Sequence, residues 1–243
     1  MIDHQDIGLA YAVLQAEVEP LLFLARDTGL QKEALVSTER LIKRSERERI
    51  AAIMAKDERQ ANNRLGLTAV VRALECELQM YISLKEDRPD QAWTKLIDAQ
   101  DAVSAAVRAS PDFTNLPAKF QHLRKMETWF FPPQVFMSAG LIVRKQRCSI
   151  CQDDYNQCDH VAGRPYMGRF CTIELRQASP DHISFVEAPA DRRCRITSFS
   201  DTGGTRNRMT WVLTPGAQER GSGEAIIATS VPEMDAADPA EVA

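Results

Sequence analysis

The 243-residue chain has no apolar run that approaches the roughly 18 residues of a membrane-spanning helix. It also lacks the short motifs of several enzyme classes: Walker A, G-x-S-x-G, H-E-x-x-H, and H-x-E followed by C-x-x-C. Hydrophobic residues make up 44% of the chain and charged residues 26%. These proportions are those of a globular protein and exclude collagenous, wholly disordered and disulfide-scaffold chains.

Charge is spread unevenly along the chain. Net formal charge is −2 over residues 1–140, +3 over 141–215 and −5 over 216–243. The isoelectric point near 5.7 argues against a protein that coats nucleic acid, although the middle block leaves room for a local basic face. The chain starts Met-Ile-Asp-His-Gln-Asp, with acids where a signal peptide has basic residues. We therefore expect a cytoplasmic protein that does not enter the membrane.

Helical periodicity dominates the first 131 residues. Between Asn63 and Lys85, apolar residues recur at spacings of three and four and predict one buried stripe. The stripe consists of Leu67, Val70, Val71, Leu74, Leu78, Tyr81 and Ile82. Further helices are predicted over 31–55, 89–109 and 116–129, and Trp93, Leu96, Ile97, Val103 and Val107 share a face of the helix that starts at Pro89. Dense apolar residues over 7–26 predict a buried helix, which Pro20 either kinks or begins. Short connections between these helices predict an antiparallel bundle.

After Pro132-Pro133 the pattern changes to short β-rich runs. Strands are predicted over 135–143, 170–175, 182–187, 195–199 and 209–213, with turns at 179–181, 189–191 and 201–204. From Pro215 onward, small and acidic residues are typical of a flexible segment. The sequence thus predicts an α+β protein: a helical bundle over 1–131, a small β-rich domain over 132–215 and a flexible acidic tail over 216–243.

Four of the six cysteines cluster in the β-rich part, together with one histidine. Residues 148–171 follow the pattern C-x2-C-x6-C-x-H-x10-C. Zinc prefers four sulfur or nitrogen ligands, and a C-x2-C turn supplies two of them from one side of the ion. The segment offers five candidates, so one is spare, and the spacing does not tell which. The candidate ligands are Cys148, Cys151, Cys158, His160 and Cys171.

Three other chemistries of these cysteines fit the sequence less well. Two disulfides require an oxidising compartment, which the N-terminal residues do not indicate. An iron–sulfur centre is open because four cysteines are present, but the Cys-x-His pair favours zinc. A redox C-x-x-C belongs at a helix start after a strand, and no such context is visible. We therefore expect one Zn2+ ion in the β-rich domain.

The expected role of this zinc is structural. Catalytic zinc keeps an open position and usually draws on histidine and carboxylate ligands, whereas this cluster is rich in cysteine and local in sequence. His182 and Cys194 flank a predicted turn and can be imagined as a thiol–imidazole pair, but ordinary strand packing accounts for both. No complete catalytic site is apparent.

The spacing also carries a resemblance to a known family. It rests on residues 183–190 and on an upstream set: Cys148, Cys151, Tyr155, Cys158, His160, Gly163, Tyr166, Gly168 and Cys171. Over about residues 135–200 the chain resembles a small zinc module of tailed-phage prohead-protease-like proteins and of uncharacterised bacterial proteins. The resemblance implies that the cysteines and the histidine bind metal, and that the next strand pairs toward a protease-like fold. Helices stand here in place of the protease core, and no Ser/His pair carries over.

Arginines recur among the later predicted strands, near Phe199 and Trp211. They are Arg192, Arg193, Arg195, Arg206 and Arg208. Arginine beside aromatic side chains is typical of nucleic-acid contacts and also of protein interfaces. We expect a non-enzymatic, zinc-stabilised binding or adaptor protein whose helices dock a protein partner. The alternatives are a nucleic-acid-binding zinc module that uses these arginines, and a phage-type protease-like or metal-dependent hydrolase.

Overall fold

The computed structural model describes residues 6–216 and the backbone of Ile226–Ala228. The predicted acidic tail lies outside these residues, apart from Gly216 and the last short strand. The described chain forms helices α1 (Ile7–Val18), α2 (Thr28–Met54), α3 (Glu58–Lys85), α4 (Pro89–Ala109) and α5 (Pro117–Phe130). The strands are β1 (Phe136–Cys148), β2 (Pro165–Tyr166), β3 (Arg169–Phe170), β4 (Ile173–Val186), β5 (Ile196–Asp201), β6 (Gly204–Asn207), β7 (Leu213–Pro215) and β8 (Ile226–Ala228). Helices followed by small antiparallel sheets confirm the predicted α+β class.

The described chain separates into two compact units. The first contains residues 6–131 together with Ser149–Cys151 and Asp159–Thr172, and so holds the five helices and the β2–β3 hairpin. The second contains Pro132–Cys148, Gln152–Cys158 and the residues from Ile173 on, which carry the other strands. The hairpin of the cysteine-rich segment therefore belongs with the helices.

The helix starts are set by two kinds of residue. Asp6, Asp27 and Asp57 precede α1, α2 and α3, and each carboxylate accepts a hydrogen bond from a backbone N–H of the first turn. Such a cap satisfies an N–H that has no partner inside the helix and places negative charge at the positive end of the helix dipole. Pro89 and Pro117 open α4 and α5, where the missing N–H costs nothing.

The core of the helical unit is built around α3, which packs against both α2 and α4. All seven residues of the predicted α3 stripe are buried, which confirms that prediction. On α4 the predicted face is buried except at its end, where Val107 is 36% exposed. Phe131 packs edge-on against Trp93, with ring centroids 5.4 Å apart, and Phe130 packs edge-on against Tyr81. The aromatic residues at the end of α5 thus close the α3–α4 core.

The first helix is shorter and more exposed than predicted. It ends at Val18, and a 3-10 turn over Glu19–Leu21 follows, because Pro20 has no N–H with which to continue the ladder. Leu9 and Val13 are 52% and 55% exposed. The prediction of a buried helix over residues 7–26 is therefore wrong for this face.

The strands β1 and β4 form a long antiparallel ribbon. The turn predicted at 179–181 is wrong, because Pro180 pairs with Leu141 inside the ribbon. The register shifts between Gly140 and Leu141, so one extra β4 residue is taken up as a bulge. β4 consequently runs without a break from the second half of the predicted strand 170–175 through most of the predicted strand 182–187.

The remaining strands form a sheet in the order β7-β6-β5-β8, antiparallel throughout. The predicted turn at 201–204 is confirmed, since Asp201 pairs with Gly204 across a two-residue hairpin. The predicted strand at 209–213 is wrong over most of its length. The side chain of Asn207 accepts the N–H groups of Met209 and Thr210 and reverses the chain there, so β7 begins only at Leu213.

Candidate metal centre

The first two candidate ligands lie on a tight turn at the end of β1. Cys148 is the last residue of the strand, and its N–H donates to the carbonyl of Asp153 over 2.9 Å. Its carbonyl accepts the N–H of Gln152, also at 2.9 Å. Gln152 has φ of 65°, the left-handed conformation that usually belongs to glycine. This turn folds Cys151 back toward Cys148.

A second local turn delivers the other two ligands. Asp154 caps a 3-10 turn over Tyr155–Gln157, and its carboxylate accepts the N–H of Asn156 at 2.9 Å. The chain leaves this turn at Cys158 with extended backbone, and His160 follows two residues later. Both pairs of ligands are therefore positioned by short-range hydrogen bonds.

The four side chains converge. One ligand atom from each of Cys148, Cys151, Cys158 and His160 lies within 4.8 Å of all the others. Around a tetrahedral zinc with Zn–S bonds of about 2.3 Å, ligand atoms stand roughly 3.8 Å apart, so small adjustments complete the site. Cys148 is buried and the other three are half-buried. The residues present fit a single metal ion bound by three thiolates and one imidazole.

Cys171, the fifth candidate, is not a member of this group. It is fully buried, and its backbone closes the β2–β3 hairpin: its N–H donates to Arg164 over 2.9 Å and its carbonyl accepts from Gly163 at 2.8 Å. The sequence left open which ligand is spare. The group of four that could hold an ion leaves Cys171 out, and its place as the spare candidate stays a prediction.

The structure bears on two alternative roles for the cysteines, disulfides and an iron–sulfur centre. All six lie within residues 6–216, and no disulfide joins any of them. The disulfide alternative thus finds no support. A polynuclear iron–sulfur cluster holds its thiolates on separate irons and spreads them apart, whereas these ligand atoms lie close enough to share one ion.

The backbone and ring next to His160 are held by Tyr166 of β2. The two rings meet edge to face, with centroids 4.7 Å apart, and the Tyr166 hydroxyl accepts the N–H of Val161 at 2.9 Å. Contacts of this kind fix the orientation of a metal-binding imidazole before the ion arrives.

The five arginines considered for nucleic-acid binding lie at different places in the fold. Arg192 and Arg193 lie in the turn before β5, Arg195 directly precedes β5, Arg206 is on β6 and Arg208 follows β6. Arg195 is only 1% exposed. Intramolecular partners of these guanidinium groups include Asp191 for Arg193 (2.8 Å), Gln134 for Arg195 (3.3 Å), Asp201 for Arg206, and the Pro133 carbonyl for Arg208 (3.4 Å). Nucleic-acid binding by these arginines stays a prediction.

The imagined pair of His182 and Cys194 has ordinary surroundings. His182 Nδ1 lies 2.9 Å from Asp181, and the Cys194 carbonyl accepts the N–H of Met137 at 3.0 Å. Burial raises the pKa of the Cys194 thiol, and the nearby Asp191 raises it further. A raised pKa disfavours the thiolate that a nucleophile requires.

Glu77 is a buried charged residue that was not predicted from the sequence. Glu77 of α3 is fully buried, and its carboxylate lies 2.5 Å from Lys119 Nζ and 3.7 Å from His122 Nε2, both on α5. The available signal was its position, three residues after Leu74 and four before Tyr81, on the face of the apolar stripe. A charge on that face indicates a buried partner.

No helix among residues 6–216 has the length and apolar character to cross a membrane. Comparison with known protein families, curated proteins and solved structures gives no match for this chain.

Proposed function

We propose that this chain is a non-enzymatic binding or adaptor protein stabilised by one structural zinc ion. The observation that carries the proposal is the convergence of Cys148, Cys151, Cys158 and His160 within 4.8 Å. Four protein ligands complete a tetrahedron and leave no position for water or substrate, which is the pattern of structural zinc. When bound, the ion supplies a cross-link among four residues of one loop.

The segment between β1 and β4 has little regular structure of its own. Its regular structure consists of one 3-10 turn and strands β2 and β3, each of two residues. So short a hairpin is not stable alone in water. Metal-binding free energy therefore adds to the folding free energy of this segment. Six thiols without a disulfide also support our proposal of a cytoplasmic location, where thiols stay reduced.

The helical unit offers the surface that we propose for a protein partner. Leu9 and Val13 of α1 are more than half exposed and lie one helical turn apart on the same face. Phe23, shortly after α1, is 63% exposed. Large apolar side chains that stay exposed together are typical of interaction surfaces.

The test of the zinc is elemental analysis of the purified full chain, which should give one zinc per chain. The test of the partner is affinity purification with and without nuclease. A partner that survives nuclease should be lost in the Leu9→Ser/Val13→Ser variant and kept in Ile50→Ser/Met54→Ser, which changes two exposed apolar residues one turn apart on α2. Loss of binding on nuclease or salt treatment would instead favour the nucleic-acid alternative.

Two further readings stay predictions. The resemblance to the phage prohead-protease-like zinc module has no support beyond the spacing of its residues, and the hydrolase alternative names no catalytic residue. Hydrolytic activity that a His160 substitution abolishes without unfolding the chain would revive the latter.

A further inference from the structure

The turn of the β2–β3 hairpin has an unusual backbone conformation and packs against α2 and α3. Tyr166 pairs with Arg169, and the two residues between them, Met167 and Gly168, have φ of 45° and 71°. Positive φ at both positions is the pattern of a type I′ hairpin turn, which favours glycine. Gly168 is buried, and a Cβ there would lie 3.1 Å from Arg49 Cγ and 3.2 Å from Ala61 Cβ. The turn therefore fits closely against α2 and α3.

Side chains of α2 and α3 form hydrogen bonds with both backbone polar groups of Gly168, its N–H and its carbonyl. Asn62 Oδ1 on α3 accepts the Gly168 N–H at 2.7 Å, and Arg49 Nη1 on α2 donates to its carbonyl over 2.7 Å. Glu46 holds the same guanidinium through Nε at 3.0 Å and Nη2 at 2.6 Å, so Arg49 is fixed in position. Glu58 adds a bond from the Met167 N–H at 3.2 Å. Helix side chains thus hold the hairpin at its tip.

The same hairpin carries the contacts of the metal ligand His160. Tyr166, directly before the turn, packs on the imidazole and accepts the Val161 N–H. On the other strand, Phe170 lies under the guanidinium of Arg108, 5.1 Å from its ring centroid. A short series of contacts therefore connects Asn62 and Arg49 to the imidazole.

Resting on the proposed zinc site, we propose that Arg49 and Asn62 are positioning residues for it: they order the hairpin that orients His160 and thereby set the affinity for the ion. When zinc binding must also order the loop, the conformational entropy lost by the loop weakens the affinity for zinc. When the loop is already ordered, this cost is absent and the affinity is higher. Coupling between two equilibria is reciprocal, so contacts that zinc strengthens must in turn strengthen zinc binding.

The test measures zinc affinity of the full chain by competition with a chelator of known affinity. Arg49→Met should weaken binding about 10-fold, because a charged hydrogen bond to a buried carbonyl is lost, and Asn62→Ala about 3- to 10-fold. Asn62→Asp keeps the oxygen that accepts the Gly168 N–H and should restore binding. Arg47→Met and Asn63→Ala are the controls: Arg47 is exposed on α2, and Asn63 bonds to Asp112 and Arg64 instead of the hairpin.

A purely structural role for the two residues gives a different result. It would lower the melting temperature of the metal-free and zinc-loaded proteins equally and leave zinc affinity unchanged, which would overturn the inference. Positioning predicts that Arg49→Met and Asn62→Ala shrink the increase in melting temperature that zinc produces, while the controls do not. Co2+ spectra at saturation should match the wild type, because all four ligands remain. Wild-type protein that binds no zinc at all would overturn the proposed function itself, a separate outcome.

Discussion

The imidazole of His160 stands edge-on to the ring of Tyr166, with centroids 4.7 Å apart and an angle of 82° between the planes. The Tyr166 hydroxyl accepts the N–H of Val161, the residue next to His160, at 2.9 Å. One tyrosine of the hairpin thus fixes both the ring and the adjoining backbone of a proposed zinc ligand. The consequences for metal binding can be measured separately for the ring and for the hydroxyl.

Tyr166→Phe removes the hydroxyl and keeps the ring. The Val161 N–H then loses its acceptor, at a cost of about 0.5 to 1.5 kcal/mol, so zinc affinity should fall about 2- to 10-fold. Tyr166→Ala removes the ring as well and should lower the affinity further. Chelator competition measures both changes, and Tyr11→Phe on α1 is the matched control. Equal affinities for Tyr166→Phe and Tyr166→Ala would show that the ring contact does not orient the imidazole.

Gln152→Gly should stabilise the zinc-loaded protein by about 0.5 to 1 kcal/mol. Gln152 has a left-handed φ of 65°, a conformation that is energetically unfavourable for a residue with a Cβ and accessible to glycine. Denaturant unfolding with zinc in excess measures the change. The neighbouring Asp153 is not among the residues with positive φ, so Asp153→Gly should destabilise instead. The same sign for both substitutions would contradict the described turn.

Lys119→Met should destabilise the protein by about 2 to 3 kcal/mol, because it leaves the fully buried Glu77 carboxylate without its nearest cation. Lys125→Met changes an exposed lysine of the same helix and should shift the free energy of unfolding by less than about 0.5 kcal/mol. Adding Glu77→Gln to Lys119→Met should recover part of the loss, since no charge then remains buried. A further loss in the double variant would exclude the buried ion pair as the cause.

Cys76 should resist alkylation in the folded protein. Burial, with a smaller contribution from Asp98, raises the pKa of its thiol to about 12, so at pH 8 only about one molecule in ten thousand carries the reactive thiolate. Mass spectrometry after iodoacetamide treatment should find the same number of modified thiols in the wild type and in Cys76→Ser, at pH 8 and at pH 9. One label fewer in the variant would show that Cys76 is accessible and ionised.

The structural features that the sequence predicted correctly depend on residues that lie close together in the chain. The α3 stripe was readable because its residues recur with the helical period and all face the core. The metal group was readable because its four ligands lie close together in sequence, each pair on its own local turn. Such features depend on neighbouring residues and leave a pattern in the chain.

The structural features that the sequence did not predict depend on contacts between residues far apart in the chain, or on tertiary surroundings that override a local signal. Arg49 and Asn62 bond to Gly168 across 119 and 106 residues, and no local pattern reports such a pairing. Pro180 signalled a turn, yet each strand of a two-stranded ribbon has an outer edge where proline's missing N–H is tolerated. The grouping of four among the five candidate ligands likewise depends on the spatial positions of their side-chain atoms, which the spacing along the chain does not give.

Elemental analysis, combined with thermal melts of the full chain before and after treatment with a chelator, tests whether a zinc ion stabilises this protein. We expect one zinc per chain, a marked fall in melting temperature when the zinc is removed, and recovery when it is returned. Cys158→Ser should lose the ion, whereas Cys171→Ser should keep it. A chain that contains no metal, or that melts identically with and without the chelator, would show that zinc does not stabilise the fold.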